Sequence, residues 1–432
     1  MPAVYSDAGI SRLSNKPDGH FHINNNCLIS VLNQTNNVLY HIVKPVIRLA
    51  LLLFCRKVYI NRRDYFRERG PMILAVNHPN SFFDAVIVGV FFKQPVHFLA
   101  RGDAFKKSWA LKILTSLKCI PVYRLREGKE YLHLNEDSFE RCRKVLRKKG
   151  IVLIFSEGLC INEWNIRPLK KGTARLAFSS WNDAGIGNAL RVLPVGVNYN
   201  SFRRFGKKVF VRFGEYIGHA DAETGVNEGA SFVRFNQLLA GQLETLCFNH
   251  VPNTPPLNGI FSFLVNNSNA PQQYEKLKQT SGTLAAEGEQ WKELEAASRH
   301  YHCALNGRQA RRSLYLALLT ALPAAAGWLS SGWFYAVLKK IVRKKNRELG
   351  HWDSIVFTAL ALFYPLYVLI VSLAAGLLAG SWLVFALVFA GLPVCAFFLT
   401  VFLPNMARFF NYNRLTSEQR ISLQRLTKNL CQ

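Results

Sequence analysis

Met72-Ile73-Leu74-Ala75-Val76-Asn77-His78-Pro79-Asn80-Ser81-Phe82-Phe83-Asp84 is an apolar run that ends on a polar turn and a histidine. The run reads as a buried strand. A strand that delivers His78 to its exit, with Asp84 shortly after, brings a base and its orienter together, the pairing that hydroxyl activation needs. Ser81-x-x-Asp84 is also a capping box, in which Asp84 would only close the start of a helix.

Outward from this stretch, short β-rich runs alternate with helix-compatible stretches between residues 70 and 220. Strands are expected at 73–76, 96–100, 120–123, 151–155, 192–197 and 209–213, and helices at 84–92, 108–117, 129–149 and 172–181. The alternation predicts an α/β domain with a central, mostly parallel or mixed sheet flanked by helices. In such sheets ligands bind beyond the carboxyl ends of the strands. Three polar clusters fall there: His78 with Asp84, Arg124 after Ile120-Pro121-Val122-Tyr123, and Glu157-Gly158 after Phe155-Ser156. Pro194 suits an edge strand or a strand start.

The chain of 432 residues has room for two or three domains. A formal charge of +27 and a pI near 9.9 point to an anionic partner: a membrane surface, nucleic acid or a phosphorylated substrate. An aromatic content of 12% and a mean hydropathy of +0.06 favour the membrane. Nucleic acid would explain the charge but not the charge-free stretches, so no nucleic-acid partner is expected. Nine cysteines, scattered and without Cys-x-x-Cys spacing, argue against a disulfide framework or a zinc site and for a reducing, cytoplasmic exposure. No metal site is expected, and no Gly-x-Ser-x-Gly or P-loop is present, which argues against a serine hydrolase or an NTPase.

Residues 1–38 are polar, show no secretory signal pattern and read as a disordered extension or as sequence upstream of the true start. Residues 39–69 read as a membrane-interfacial helix and an entry strand. The uncharged part, 49–55, is too short to span about 30 Å of hydrocarbon, and Lys44, Arg48, Arg56 and Lys57 flank it in the manner of headgroup contacts. After the 70–220 domain, 221–312 reads as a helical accessory or linker region, interrupted by the Pro/Asn/Gly-rich stretch 251–271.

The last part, 313–432, reads as a membrane region with a basic tail. Charge is absent from 314–338 and from 354–407. The second stretch divides at Gly376-Leu377-Leu378-Ala379-Gly380-Ser381 into 354–376 and 382–404, each long enough to span. Basic clusters at both ends of this hairpin predict that both ends, and the catalytic domain, face the cytoplasm. Within 314–338, Pro323, Gly327 and Ser330-Ser331-Gly332 favour a re-entrant or interfacial pair over a third span.

Asn77 to Asp84, Ile120 to Arg124, Phe155-Ser156-Glu157-Gly158 and Val192-Leu193-Pro194-Val195 resemble, in order, the four blocks of the glycerolipid acyltransferases. That family includes the glycerol-3-phosphate and 1-acylglycerol-3-phosphate (lysophosphatidic acid) acyltransferases. Arg167-Pro168-Leu169-Lys170-Lys171-Gly172-Thr173-Ala174-Arg175 resembles the segment after the third block. The resemblance covers roughly 40–220 and leaves out the three hydrophobic runs. It departs from the common pattern in two places. The residues Pro79 to Phe83 make a gap of five where four is usual, which resembles one branch of the family, often with Asn at the position of Asn80. Ser156 stands where Pro is usual, and Leu159-Cys160 replace small hydroxyl residues.

The resemblance implies transfer of a fatty acyl group from acyl-CoA or acyl-carrier protein to a hydroxyl, with these thioesters as co-substrates and no other cofactor. His78 would be the general base and Asp84 its orienter. Asn80 and Arg124 would contact the acceptor, Arg124 through its phosphate; Glu157 and Gly158 would shape the acceptor site, and Lys170 or Arg175 would add phosphate or cofactor contacts. Membrane lipids are the further partner implied, and oligomeric state is left open. Two alternatives stand beside this reading: an acyltransferase acting on a non-phosphate lysolipid such as an amino-acid lipid, and a non-catalytic membrane scaffold of the same fold. His97, His133, His219, His250, His300, His302 and His351 lack ligand spacing and read as structural or surface residues.

Overall fold

The computed structural model describes residues 38–123, 134–225, 227–248, 302–345, 351–421 and 423–424. The extension expected before Val38, Arg124, His133 and the stretch 251–271 lie outside them. The elements in order are α1 (Val38–Phe54), β1 (Cys55–Ile60), β2 (Met72–Val76), α2 (Phe82–Gly89), β3 (Val96–Arg101), α3 (Ser108–Ser116), β4 (Cys119–Val122), α4 (Leu134–Arg147) and β5 (Ile151–Phe155). There follow α5 (Lys171–Trp181), β6 (Arg191–Tyr199), β7 (Lys207–Phe213), the short α6 (His219–Ala222), α7 (Glu228–Leu246), α8 (Gly307–Lys345), α9 (Trp352–Leu378) and α10 (Trp382–Asn413).

The strands form one mixed sheet in the order β1-β7-β6-β2-β5-β3-β4. All neighbouring pairs are parallel except β6 with β7. Met72-Ile73-Leu74-Ala75-Val76 is buried along its whole length, as expected of a central strand covered on both faces. One face packs against α1, α2 and α9 through Phe54, Phe83, Ile87 and Phe357; the other packs against α4, α5 and α7 through Leu146, Leu176, Trp181 and Leu239. The outer strand β1 carries exposed Arg56 and Lys57, charges that discourage edge-to-edge pairing.

Three local expectations change. Pro194 lies in an interior strand, not at an edge or a start. Its carbonyl accepts from Gly214 N–H just past the end of β7, so the N–H it lacks falls where the β6–β7 ladder has stopped. Lys44 of α1 is half-buried rather than at an outer surface, while Arg48 stays exposed; they donate to the carbonyls of Phe92 and Val90 and hold the chain leaving α2. Ile42, Leu49 and Leu52 are the exposed apolar residues of that helix.

Pro323, Gly327 and the serines do not break the first charge-free run, and α8 is one continuous helix of 39 residues. Gly327 instead permits close packing, since a Cβ there would meet the carbonyl of Cys395 on α10 at 2.3 Å. Ser330 Oγ returns its hydrogen bond to Ala326 O within the helix. Helices α8, α9 and α10 are each long and apolar enough to cross a membrane.

Candidate active site

The exit of β2 is pinned before the loop begins. Asn77 donates its side-chain amide to Val197 O (3.0 Å) and accepts Val197 N–H (2.7 Å), tying the turn to β6. The chain then passes through Ser81 at φ 57°, a left-handed conformation costly for a residue with a Cβ, and enters α2. In this loop His78 Nδ1 lies 3.0 Å from Asp84 Oδ2. Asn80 N–H donates to the same oxygen at 2.7 Å, and Tyr199 O–H donates to Asp84 Oδ1 at 2.6 Å. The capping box does not form: Ser81 makes no side-chain cap, and the Asp84 carboxylate is committed to His78, Asn80 and Tyr199.

A carboxylate only accepts, so a deprotonated Asp84 places the imidazole hydrogen on Nδ1 and leaves the lone pair on Nε2. Among the described residues nothing bonds Nε2, and 10% of the His78 side-chain surface stays open. The ring stacks on Phe155 at 3.7 Å and 12°, which fixes its plane. Burial pushes the Asp84 carboxyl above its ordinary value, and the bonds from His78, Tyr199 and Asn80 pull it back.

Glu157 closes the other side. Its Oε1 accepts His78 N–H (3.3 Å), and its Oε2 faces Arg167 Nη2 at 3.3 Å. Arg167 also donates to Leu159 O and pairs with Glu163 at 3.1 Å. Gly158 sits at φ 66° with the stem of Lys170 alongside, where a Cβ would lie 3.0 Å from Lys170 Cγ. Cys160 Sγ accepts Ser81 N–H, and burial pushes its thiol up to about 12, so it is not a nucleophile at neutral pH.

Burial also raises the Glu157 carboxyl from 4.5 to about 7, against the pull of Arg167 and the His78 N–H. The folded chain therefore keeps a proton that the unfolded chain releases, and stability falls as pH rises through this interval, by up to about 3 kcal/mol. Glu157→Gln removes the titration. Between pH 5 and pH 8 the melting temperature of the variant should gain about 3–6 °C on the unsubstituted protein in the same detergent. A difference that does not change with pH would show that Glu157 is not held as described.

The structure thus brings His78, Asp84, Glu157 and Gly158 together. Asn80 is buried, but its side chain turns away to Asp353 of α9 (2.8 Å), so it braces the loop from behind. Lys170 joins the site through its backbone, N–H to Ser156 O at 2.8 Å, and its side chain is exposed beside Gly158. Arg175 is exposed on α5 and makes no hydrogen bond or ion pair among the described residues. The chain approaching Arg124 is fastened by Asn135, which bonds both the N–H and the carbonyl of Tyr123 at 2.8 Å. Tyr199, Arg167 and the start of α9 are the residues that reading the sequence did not assign. The continuation of the 192–197 run into Asn198-Tyr199 was the signal for Tyr199. His351, exposed at the start of α9, places its Nδ1 2.7 Å from Ser81 Oγ, a structural contact at the surface.

Residues 57–198, from within β1 to the last residue but one of β6, match the family model described as Acyltransferase. Among solved structures, the chain is similar to the 1-acyl-sn-glycerophosphate (LPA) acyltransferase PlsC from Thermotoga maritima, with 17% identity, 48% of this chain and 80% of that chain covered, and a TM-score of 0.34. No curated protein matches the chain.

Proposed function

We propose that the protein is a membrane-bound O-acyltransferase of phospholipid biosynthesis. It moves a fatty acyl group from acyl-CoA or acyl-carrier protein to the hydroxyl of glycerol-3-phosphate or lysophosphatidic acid. The observation that carries this reading is His78, whose Nδ1 is held by the buried Asp84 while Nε2 is left open, within a domain that matches the acyltransferase model.

In the proposed reaction Nε2 takes the acceptor hydroxyl proton as the oxygen attacks the thioester carbonyl. Asp84 stabilises the imidazolium that forms. The tetrahedral intermediate expels the thiolate, which recovers the proton from Nε2, giving an ester and a free thiol. No acyl-enzyme is needed, and burial pushes the thiol of Cys160, beside the loop, up to about 12. Arg124 is assigned to the acceptor phosphate as a bidentate cation. The three long apolar helices suit a substrate or product that resides in the bilayer, and the net charge of +27 suits anionic headgroups on the cytoplasmic side.

The test is acyl transfer by the purified full chain in lipid nanodiscs, from labelled acyl-CoA and acyl-carrier protein, to glycerol-3-phosphate, lysophosphatidic acid and a non-phosphate lysolipid. Ester formed only with phosphate-bearing acceptors supports the proposal. Transfer confined to the non-phosphate acceptor would move the assignment to an amino-acid lipid, and no transfer from either donor would leave a scaffold of the same fold.

A further inference from the structure

The loop carrying His78 and Asp84 is held from behind by the first turn of α9, a helix long and apolar enough to cross the bilayer. Asp353, in that turn, is almost fully buried. Its Oδ2 accepts from Asn80 Nδ2 at 2.8 Å and from Arg203 N–H at 3.2 Å, and it forms an ion pair with Lys207. Lys207 has no exposed surface, and its ammonium lies over the rings of Phe54, Phe83 and Tyr199 at 5.0, 5.8 and 5.8 Å. The next residue, Ser354, accepts Phe83 N–H (3.0 Å) and donates to Asn80 O (3.2 Å). Arg203, whose N–H meets the pair, is held at φ 61°, as Ser81 is held at φ 57°.

Stability does not explain this arrangement. Removing two charges from water costs several kcal/mol per ion, and a buried pair is often no more stable than apolar residues of the same volume. What such a pair does supply is a fixed position. The position is passed on through one residue: Asn80 gives its side-chain amide to Asp353 and its N–H to the Asp84 oxygen that faces His78. Lys207 acts at a second point, since the Tyr199 ring beside its ammonium carries the hydroxyl that bonds the other Asp84 oxygen.

We propose that Asp353 and Lys207 are positioning residues, a buried ion pair that seats the first turn of a membrane helix on the His78–Asp84 loop and so sets the geometry of the base. The membrane hairpin is then part of the active site as well as an anchor. This inference rests on the acyl-transfer reading of the site.

Three full-length variants in nanodiscs test it by steady-state kinetics and thermal unfolding. Asp353→Asn leaves Lys207 buried and alone, and is expected to lower both melting temperature and kcat. The double variant Asp353→Asn/Lys207→Met removes the stranded charge at nearly constant volume. It should regain the melting temperature but keep kcat at least about 10-fold low, with KM for donor and acceptor within about threefold, because a misplaced base costs turnover rather than binding. Ser354→Ala, which touches neither charge, should lower kcat about three- to tenfold while melting within about 2 °C of the original protein. Recovery of kcat together with stability in the double variant, or an unchanged kcat in Ser354→Ala, overturns the proposal. An original protein no more active than His78→Ala would instead overturn the acyl-transfer reading, so the two failures are distinguishable.

Discussion

His78→Ala is expected to lower kcat for acyl transfer by about 10³- to 10⁴-fold, the range for losing a positioned general base. KM for the thioester and the acceptor should change by less than about threefold, because the imidazole works mainly in the transition state. The fold should survive. Asp84 keeps the Asn80 N–H on Oδ2 and the Tyr199 hydroxyl on Oδ1, and the main-chain bond from residue 78 to Glu157 does not depend on the side chain. The stacked contact with Phe155 is lost, so a small fall in melting temperature is expected. Single-turnover assays with labelled acyl-CoA and each phosphate-bearing acceptor provide the check. Ester formation in His78→Ala at a rate within threefold of the original protein would sink the general-base mechanism.

The parts of the site that were legible in the sequence are those that local pattern controls. Met72–Val76 and Ile151–Phe155 are continuous apolar runs between polar turns, and such runs become central strands wherever the sheet is covered on both faces. Their carboxyl ends carry His78 and Glu157, so local pattern alone assigns both residues to the edge of the sheet where ligands bind. Residues whose roles come from distant chain were not legible. Lys207 stands beside Lys208 with no local signal of its role, and its partner Asp353 on α9 is far away in sequence. Nothing in the local pattern of Asp353 distinguishes an ion-paired brace from an ordinary acid in the first turn of a helix. Local signals also misled where packing outweighs them. Pro323 and Gly327 have the chemistry of helix breakers, yet the bonds within α8 and its contact with α10 keep the helix whole.

Asp84 separates orientation from charge. Asp84→Ala removes the acceptor for three donors, leaving His78 Nδ1, Asn80 N–H and the Tyr199 hydroxyl unsatisfied in a buried space. The lost bonds would cost on the order of 2–3 kcal/mol of stability, offset in part because the carboxylate that disappears was itself destabilised by burial. Without its orienter the imidazole samples both tautomers and several ring positions, and kcat should fall by about 10³-fold. Asp84→Asn is expected to be milder. An amide oxygen in the Oδ2 position still accepts from Asn80 N–H and His78 Nδ1–H, and the amide nitrogen then faces Tyr199, whose hydroxyl rotates to accept. The opposite orientation would set the amide hydrogens against Asn80 N–H and is disfavoured. His78 therefore keeps its productive tautomer and loses only the anion that stabilises the imidazolium, a deficit of about 10- to 100-fold in kcat. Tyr199→Phe in the Asp84→Asn background takes away the acceptor for that amide nitrogen. The double variant should drop toward the Asp84→Ala rate although Tyr199 never meets the substrate. If the two substitutions simply multiply, with Tyr199→Phe costing the same in both backgrounds, Tyr199 does not fix the orientation of the group at position 84.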